Sequence, residues 1–262
     1  MVFIHNIDPI LLHLGQLEIR YYGLAYVLGF IIGYFILKYL IKKKEIAMTE
    51  DDLDTLILYV AIGLLAGSRI FYFVFYNFQI LIENPFQIFK IWEGGMSFHG
   101  GFIGVISAGA LFCRIYKKQF YDIADLVVIP FAIGLGIGRV ANFINGELYG
   151  RATSVSWAVD FGDGIPRHPS QLYESAKNFV IFVVLWLLKE KENLYKGTLF
   201  WTFVTLYGTF RFFIEFFRQP DAQLGFVLFN FLTMGQLLTG VMAITGCAIL
   251  IKWYYIDAKT QE

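Results

Sequence analysis

The chain has little of what soluble enzymes are usually built from. Charged residues make up only 16% of its 262 positions and cancel to a formal net charge of zero. No basic excess is present to draw it to nucleic acid. Cysteine is scarce, and Cys113 and Cys247 stand far apart, each in or beside an apolar run. That excludes a CxxC pair and a disulfide framework, and it leaves both residues as small buried hydrophobes. The four histidines include no pair at metal-ligand spacing, and neither HExxH nor a paired acidic motif is found, so no metal site is expected. Internal repeats, low-complexity tracts and a second domain are lacking as well. The segment from Met1 to Gln16 has no Lys or Arg ahead of its apolar residues, which argues against a cleavable signal peptide. With Pro9, Gly15 and scattered polar residues, it suggests an interfacial lead into the first apolar run.

Apolar residues fill the space that charge leaves. They reach 57% of the chain, 19% of it aromatic, with a mean hydropathy of +0.59. A soluble domain of this length could not bury so much, so the chain is expected in a lipid bilayer. A membrane-crossing helix needs about 20 apolar residues. Seven stretches qualify, at roughly 20–41, 55–76, 98–116, 122–144, 171–189, 198–217 and 231–252. The expected fold is an all-α integral membrane protein, a single seven-span domain over 1–262.

Lys and Arg mark the cytoplasmic side of such a protein. The first, third and fifth connections hold Lys42, Lys43 and Lys44, then Arg114, Lys117 and Lys118, then Lys189, Lys191 and Lys196. The alternate connections hold only Lys90, Arg151, Arg167 and Arg218, while the C-terminus adds Lys252 and Lys259. The predicted orientation therefore has the N-terminus outside and the C-terminus in the cytoplasm. Residues 145–170 then form a small outer-face cap, with turns supplied by Gly, Asp and Pro.

A charged group near the centre of a span costs at least about 2.5–3.5 kcal/mol unless paired or hydrated. Arg69, Asp125, Arg139, Arg211 and Glu215 are such groups. Helical spacing sets Tyr207, Arg211, Glu215 and Arg218 on one stripe amid phenylalanines. An internal Arg211–Glu215 ion pair would account for part of that stripe, and an anion site would account for it as well. Arg139 and Asn142, three apart, with Asn145 and Glu147 following, favour the anion site: two guanidinium forks can hold one phosphodiester in a low-dielectric cavity. A polar network that only ties helices together would use the same residues. His99 opens the third span between Ser97 and paired glycines, a density that allows close backbone or ligand approach. His168, before Pro169 and Ser170, reads as helix-start chemistry.

These segments together resemble the prolipoprotein diacylglyceryl transferase family. Gly138 to Gly150 fits the signature Gly-Arg-x-Gly/Ala-Asn-Phe-x-Asn-x-Glu-x-x-Gly, with Ala141 the less usual choice. The likeness extends to Tyr21-Tyr-Gly, His99-Gly-Gly, the run Arg167-His-Pro-Ser-Gln-Leu-Tyr-Glu and Arg211-Phe-Phe-Ile-Glu-Phe-Phe-Arg-Gln-Pro-Asp221. It implies a seven-spanning bacterial inner-membrane enzyme with its N-terminus outside. Such an enzyme moves the diacylglyceryl group of phosphatidylglycerol to the lipobox cysteine that follows a prolipoprotein's signal-peptide span. The products are a thioether and glycerol 1-phosphate, and no cofactor is needed.

Carried over residue by residue, the family's important positions fall on Tyr26, His99, Arg139, Asn142, Glu147, Gly150, Tyr207, Arg211 and Glu215, with Asp125 at an acidic position of unassigned purpose. The resemblance makes His99 the general base and Arg139 and Arg211 the phosphate clamp. The other residues would orient the arginines or bind the glycerol hydroxyls. Two further readings compete on the residues alone. A lipid flippase would show repeats or broken helices in matching halves, and an inert lipid-binding scaffold would keep the arginines without needing His99.

Overall fold

The structure, a computed structural model, describes residues 2–14, 17–43, 48–90, 94–220, 227 and 232–260. Without water, a backbone can satisfy its own polar groups over such apolar stretches by coiling. Each expected stretch holds one long helix: α1 Tyr21–Lys43, α2 Glu50–Tyr76, α4 Phe98–Ile115, α5 Phe120–Ile144, α6 Ser170–Leu188, α7 Thr198–Ile214 and α8 Met234–Thr260, with a short α3, Phe78–Glu83, after α2. By length and composition, α1, α2, α5, α6 and α8 can cross a membrane. The apolar α4 and α7 are shorter, and the 17 residues of α7 rise about 26 Å, just under a hydrocarbon core of about 30 Å. The predicted span 198–217 overshoots α7, whose helix gives way to a turn at Glu215.

The apolar segments are all helical, but the flanks are not. Strands β2 Ile10–Leu14 and β3 Leu17–Arg20 form an antiparallel hairpin, while β1 Phe3–Ile4 runs parallel to β4 Val159–Asp160, which pairs antiparallel with β5 Pro166–Arg167. Gly and Pro break any helix between 145 and 170, so the backbone there satisfies its polar groups across turns instead. Gly15 and Gln16 lie outside the described residues.

The chain divides into two compact units, Leu37–Ala124 and Met1–Ile36 with Asp125–Glu262. In the first, Thr49 closes a capping box with Asp52, and Lys118 binds the Asp52 carboxylate at 2.8 Å. Helices α2 and α4 meet along glycines four apart. A Cβ on Gly67 would collide with the Gly100 carbonyl and lie 2.8 Å from the Cα of Gly104, and one on Gly104 would strike the Gly63 backbone. The paired glycines expected to admit a backbone or a ligand admit a backbone, as small-xxx-small seams do between membrane helices.

In the second unit, Gly29 and Gly33 of α1 meet Gly134 and Pro130 of α5, and Gly208 and Gly246 bring α7 and α8 together. Asp125 caps α7. Its carboxylate accepts from the backbone N–H groups of Gly197, at 2.7 Å, and Phe200, at 2.8 Å. Gly197 sits at the N-cap with a positive φ and no side chain to do this itself.

Candidate functional site

Three helix ends in the second unit assemble one polar cluster. Arg139 and Asn142 lie in the last turns of α5, Gln171, Glu174 and Lys177 in the first turns of α6, and Tyr207 and Arg211 toward the end of α7. Their centre is Glu174, whose carboxylate is 3% exposed. It receives Lys177 at 2.6 Å, Arg211 at 2.8 Å and, at longer range, Arg139 at 3.9 Å. Arg211 also pairs with Glu215 at 2.5 Å, the i, i+4 contact that the stripe predicts, and Glu215 takes Arg218 at 3.5 Å and the Thr233 hydroxyl at 3.0 Å. Helix ends this polar cannot face lipid, and burial of the charges is offset only because each has an opposite partner.

Among the described residues, the buried Nη1 of Arg211, both oxygens of Glu174 and the ammonium of Lys177 are close to their partners without the alignment of a hydrogen bond. Arg211 meets both Glu174 and Glu215 through Nη1, and a guanidinium carries five N–H donors, so donor capacity remains for another anion. Arg139 is in electrostatic reach of Tyr207, and Lys177 lies 4.0 Å above the Tyr207 ring.

A second branch leads away from Arg139. Its Nη1 donates to Asn142 at 3.4 Å, and Asn142 donates in turn to Glu147 at 2.7 Å, where Asn145 also reaches at 3.3 Å. Gln171 fixes the Glu147 carbonyl at 2.7 Å. Gly150 then bridges to Arg218, and a Cβ there would lie 2.5 Å from the Phe217 carbonyl oxygen, so only glycine lets the backbone pass this closely. Tyr26 of α1, hydrogen-bonded to Tyr22 at 3.1 Å, is in electrostatic reach of Arg139 and Glu147. Seen together, Arg139, Arg211, Lys177 and Arg218 oppose Glu147, Glu174 and Glu215, an excess of one positive charge. Such an environment suits an anion with several acceptor oxygens.

Eight of the nine carried-over positions therefore belong to this unit: Tyr26, Arg139, Asn142, Glu147, Gly150, Tyr207, Arg211 and Glu215. His99 belongs to the other. Its backbone opens α4 behind Ser97, which caps the helix by accepting from Gly100, and its side chain lies outside the described residues. Arg69 is in that unit too, donating to the carbonyls of Gln87, Ile88, Lys90, Gly94 and Gly95. His168 contacts the Tyr173 hydroxyl and the Phe217 ring, and burial pushes its imidazole below the ordinary histidine range. That is the surroundings of a neutral structural histidine, as its place before α6 suggests.

Residues 9–252 match the family model of prolipoprotein diacylglyceryl transferase. The chain belongs to this family. A phosphatidylglycerol–prolipoprotein diacylglyceryl transferase of Geobacter sulfurreducens is 47% identical over 249 residues, covering 94% of this chain and 95% of the relative. Another, of Desulfotalea psychrophila, is 44% identical over 257 residues, covering 95% and 93%. That of Legionella pneumophila strain Corby is 45% identical over 244 residues, covering 92% and 95%. The matched range, 9–252, spans the whole cluster.

Glu174 and Lys177 escape the reading of charges within spans, although both fall inside the predicted stretch 171–189. The signal is present: Gln171, Glu174, Lys177 and Asn178 recur at helical spacing on one face, and all four are buried. They pass for the polar start of a helix because they cluster in its first nine residues.

Proposed function

We propose that this chain transfers the diacylglyceryl group of phosphatidylglycerol to the lipobox cysteine of prolipoproteins. It does so as a seven-span protein of the bacterial inner membrane, with its N-terminus outside, its C-terminus in the cytoplasm and residues 145–170 as an outer-face cap. The observation that carries the reading is the approach of Arg139 and Arg211 to one buried carboxylate at neighbouring helix ends. The same two guanidinium groups could grip the phosphodiester of an anionic lipid. Family membership adds the substrates that the relatives' names state.

In this mechanism the precursor's thiol loses its proton to His99, and its sulfur attacks the glycerol carbon bonded to the phosphate. A C–S bond forms as the C–O bond breaks, and the bonding pair departs on the oxygen of glycerol 1-phosphate. A thiol titrating near 8.5 is mostly protonated at neutral pH, so a base in contact accelerates the step. Negative charge grows on the departing phosphate, where Arg139 and Arg211 stabilise it. Tyr207 and Glu215 orient the arginines, and Asn142 and Glu147 bind the glycerol hydroxyls, with Tyr26 at the edge of the site. Gly150 keeps the cap strand close. The lipid brings its own leaving group, so the chemistry needs neither cofactor nor metal. The partners are phosphatidylglycerol, the signal peptide and the surrounding lipid, with no nucleic acid.

The test is direct. Purified protein incubated with phosphatidylglycerol and a lipobox peptide should add one diacylglyceryl mass to the peptide cysteine and release glycerol 1-phosphate. A peptide that stays unmodified while the protein still binds the lipid would favour the inert scaffold.

A further inference from the structure

Lys177 has no part in the reaction just described, yet it is the third cation on Glu174. Its ammonium is 2.6 Å from that carboxylate, with both side chains 3% exposed, and 4.0 Å from the centre of the Tyr207 ring. The pair is i, i+3 on α6, so the helix itself presents the two groups together. No solvent-facing use of either charge is open at that depth.

The charges explain why a lysine belongs there. Glu174 draws Arg139 and Arg211 to one point, which is useful for gripping a phosphodiester with two forks. A bare carboxylate would also cancel one of the two positive charges that the phosphate needs. With Lys177 beside it, Glu174 keeps its acceptor oxygens while the pair as a whole is neutral, and the two guanidinium groups retain their attraction for an anion. We propose that Lys177 is a positioning residue of the anion site, neutralising Glu174 so that this carboxylate aligns Arg139 and Arg211 without weakening their hold on the phosphate. The inference rests on the transferase reading and adds a residue to it.

Removing a unit charge within about 10 Å of a bound anion, at an effective dielectric near 20, should weaken binding roughly tenfold. The experiment is a set of KM and kcat values for phosphatidylglycerol, in the peptide-transfer assay, with wild type, Lys177→Met and the double variant Lys177→Met, Glu174→Gln. Lys177→Met should raise KM about tenfold, because Glu174 is then uncompensated. In the double variant the pair is neutral again, so KM should return to within about threefold of wild type. Its kcat should still fall, since an amide aligns two arginines less well than a carboxylate.

A packing role makes a different prediction. Methionine fills nearly the same volume, so KM would be unchanged in Lys177→Met, or would rise equally in both variants, and either result overturns the proposal. Breaking a buried pair can prevent folding. In that event the double variant decides alone: a KM raised tenfold in it overturns the proposal, and a KM near wild type upholds it. Wild-type protein that transfers nothing overturns the transferase reading itself, an outcome separate from any failure of Lys177.

Discussion

Arginines within the apolar helices are used in two ways in this molecule, and their partners distinguish them. In the unit Leu37–Ala124, Arg69 sits beside Phe73 and gives its hydrogens to five backbone carbonyls between Gln87 and Gly95. Those carbonyls cannot move far or accept a substitute, so the guanidinium ties a loop down. In the other unit, Arg139 and Arg211 face side-chain carboxylates, Glu174 on the next helix and, for Arg211, Glu215 one turn on. Side-chain carboxylates can be shared with an incoming anion, whereas a ring of carbonyls is consumed. A membrane-embedded arginine is thus not a functional residue by virtue of depth alone; what it is bonded to decides.

The largest effect should separate the two classes. Arg139→Gln or Arg211→Gln should lower transfer by roughly 10²–10³-fold, the usual loss when one donor to a developing anion is removed. Membrane insertion should survive, because a charge is deleted and a similar length is kept. Turnover would be compared with lipid binding and thermal unfolding on the same preparations. Wild-type turnover in either variant would remove the phosphate clamp and dissolve the contrast with Arg69.

His99 tests whether the first unit contributes chemistry as well as packing. His99→Gln should retain phosphatidylglycerol binding yet lose about 10²-fold in rate at pH 7, with partial recovery as the pH is raised toward the thiol's own value near 8.5. More thiolate is then present without help from a base. Structural damage would instead lower binding and turnover together, and alkali would restore neither. Unchanged activity at pH 7 would take His99 out of the reaction.

Much of this contrast is legible in sequence, but only on one side. The apolar runs locate every long helix because about 20 residues of low polarity are a strong and local signal. The stripe of Tyr207, Arg211 and Glu215 is equally local. What Arg69 and Asp125 do is not: each binds backbone groups of a distant segment, and a carbonyl or N–H has no letter in the sequence. The strands β1, β4 and β5, two residues each, are too short to show a period of two. Glu174 and Lys177 are legible yet easily passed over, since polar residues in the opening turns of a span usually face water.

A smaller effect follows for Arg69. Arg69→Met should lower the unfolding free energy by about 1–3 kcal/mol or more, because buried carbonyls lose their donor. Transfer per folded molecule should stay within about twofold, since nothing in the proposed chemistry uses this residue. Thermal unfolding and active-fraction-corrected rates check both halves. A large rate loss in fully folded Arg69→Met would make Arg69 a member of the functional class and erase the distinction drawn from its partners.

The smallest effect is expected at the cysteines, and it tests what kind of catalyst the charged cluster is. In the proposed reaction the attacking sulfur belongs to the precursor, so the protein supplies charge and a base but no nucleophile. Cys113 is buried on α4, in the unit that holds Arg69, as expected of a small hydrophobe, whereas Cys247, of which the sequence predicts the same, is exposed on the apolar helix α8. Neither is among the groups bonded to the cluster around Glu174. The double variant Cys113→Ala, Cys247→Ala should keep its rate within about twofold and lose on the order of 1 kcal/mol of stability, from the small void left at Cys113. Rate and unfolding temperature would be measured together, with a burst experiment for peptide-independent release of glycerol 1-phosphate. A folded double variant without activity, alongside such a burst in wild type, would mean that the diacylglyceryl group is first carried on the enzyme's own sulfur. The arginines would then serve the formation of that intermediate, and the line between structural and functional regions would have to be redrawn around a cysteine.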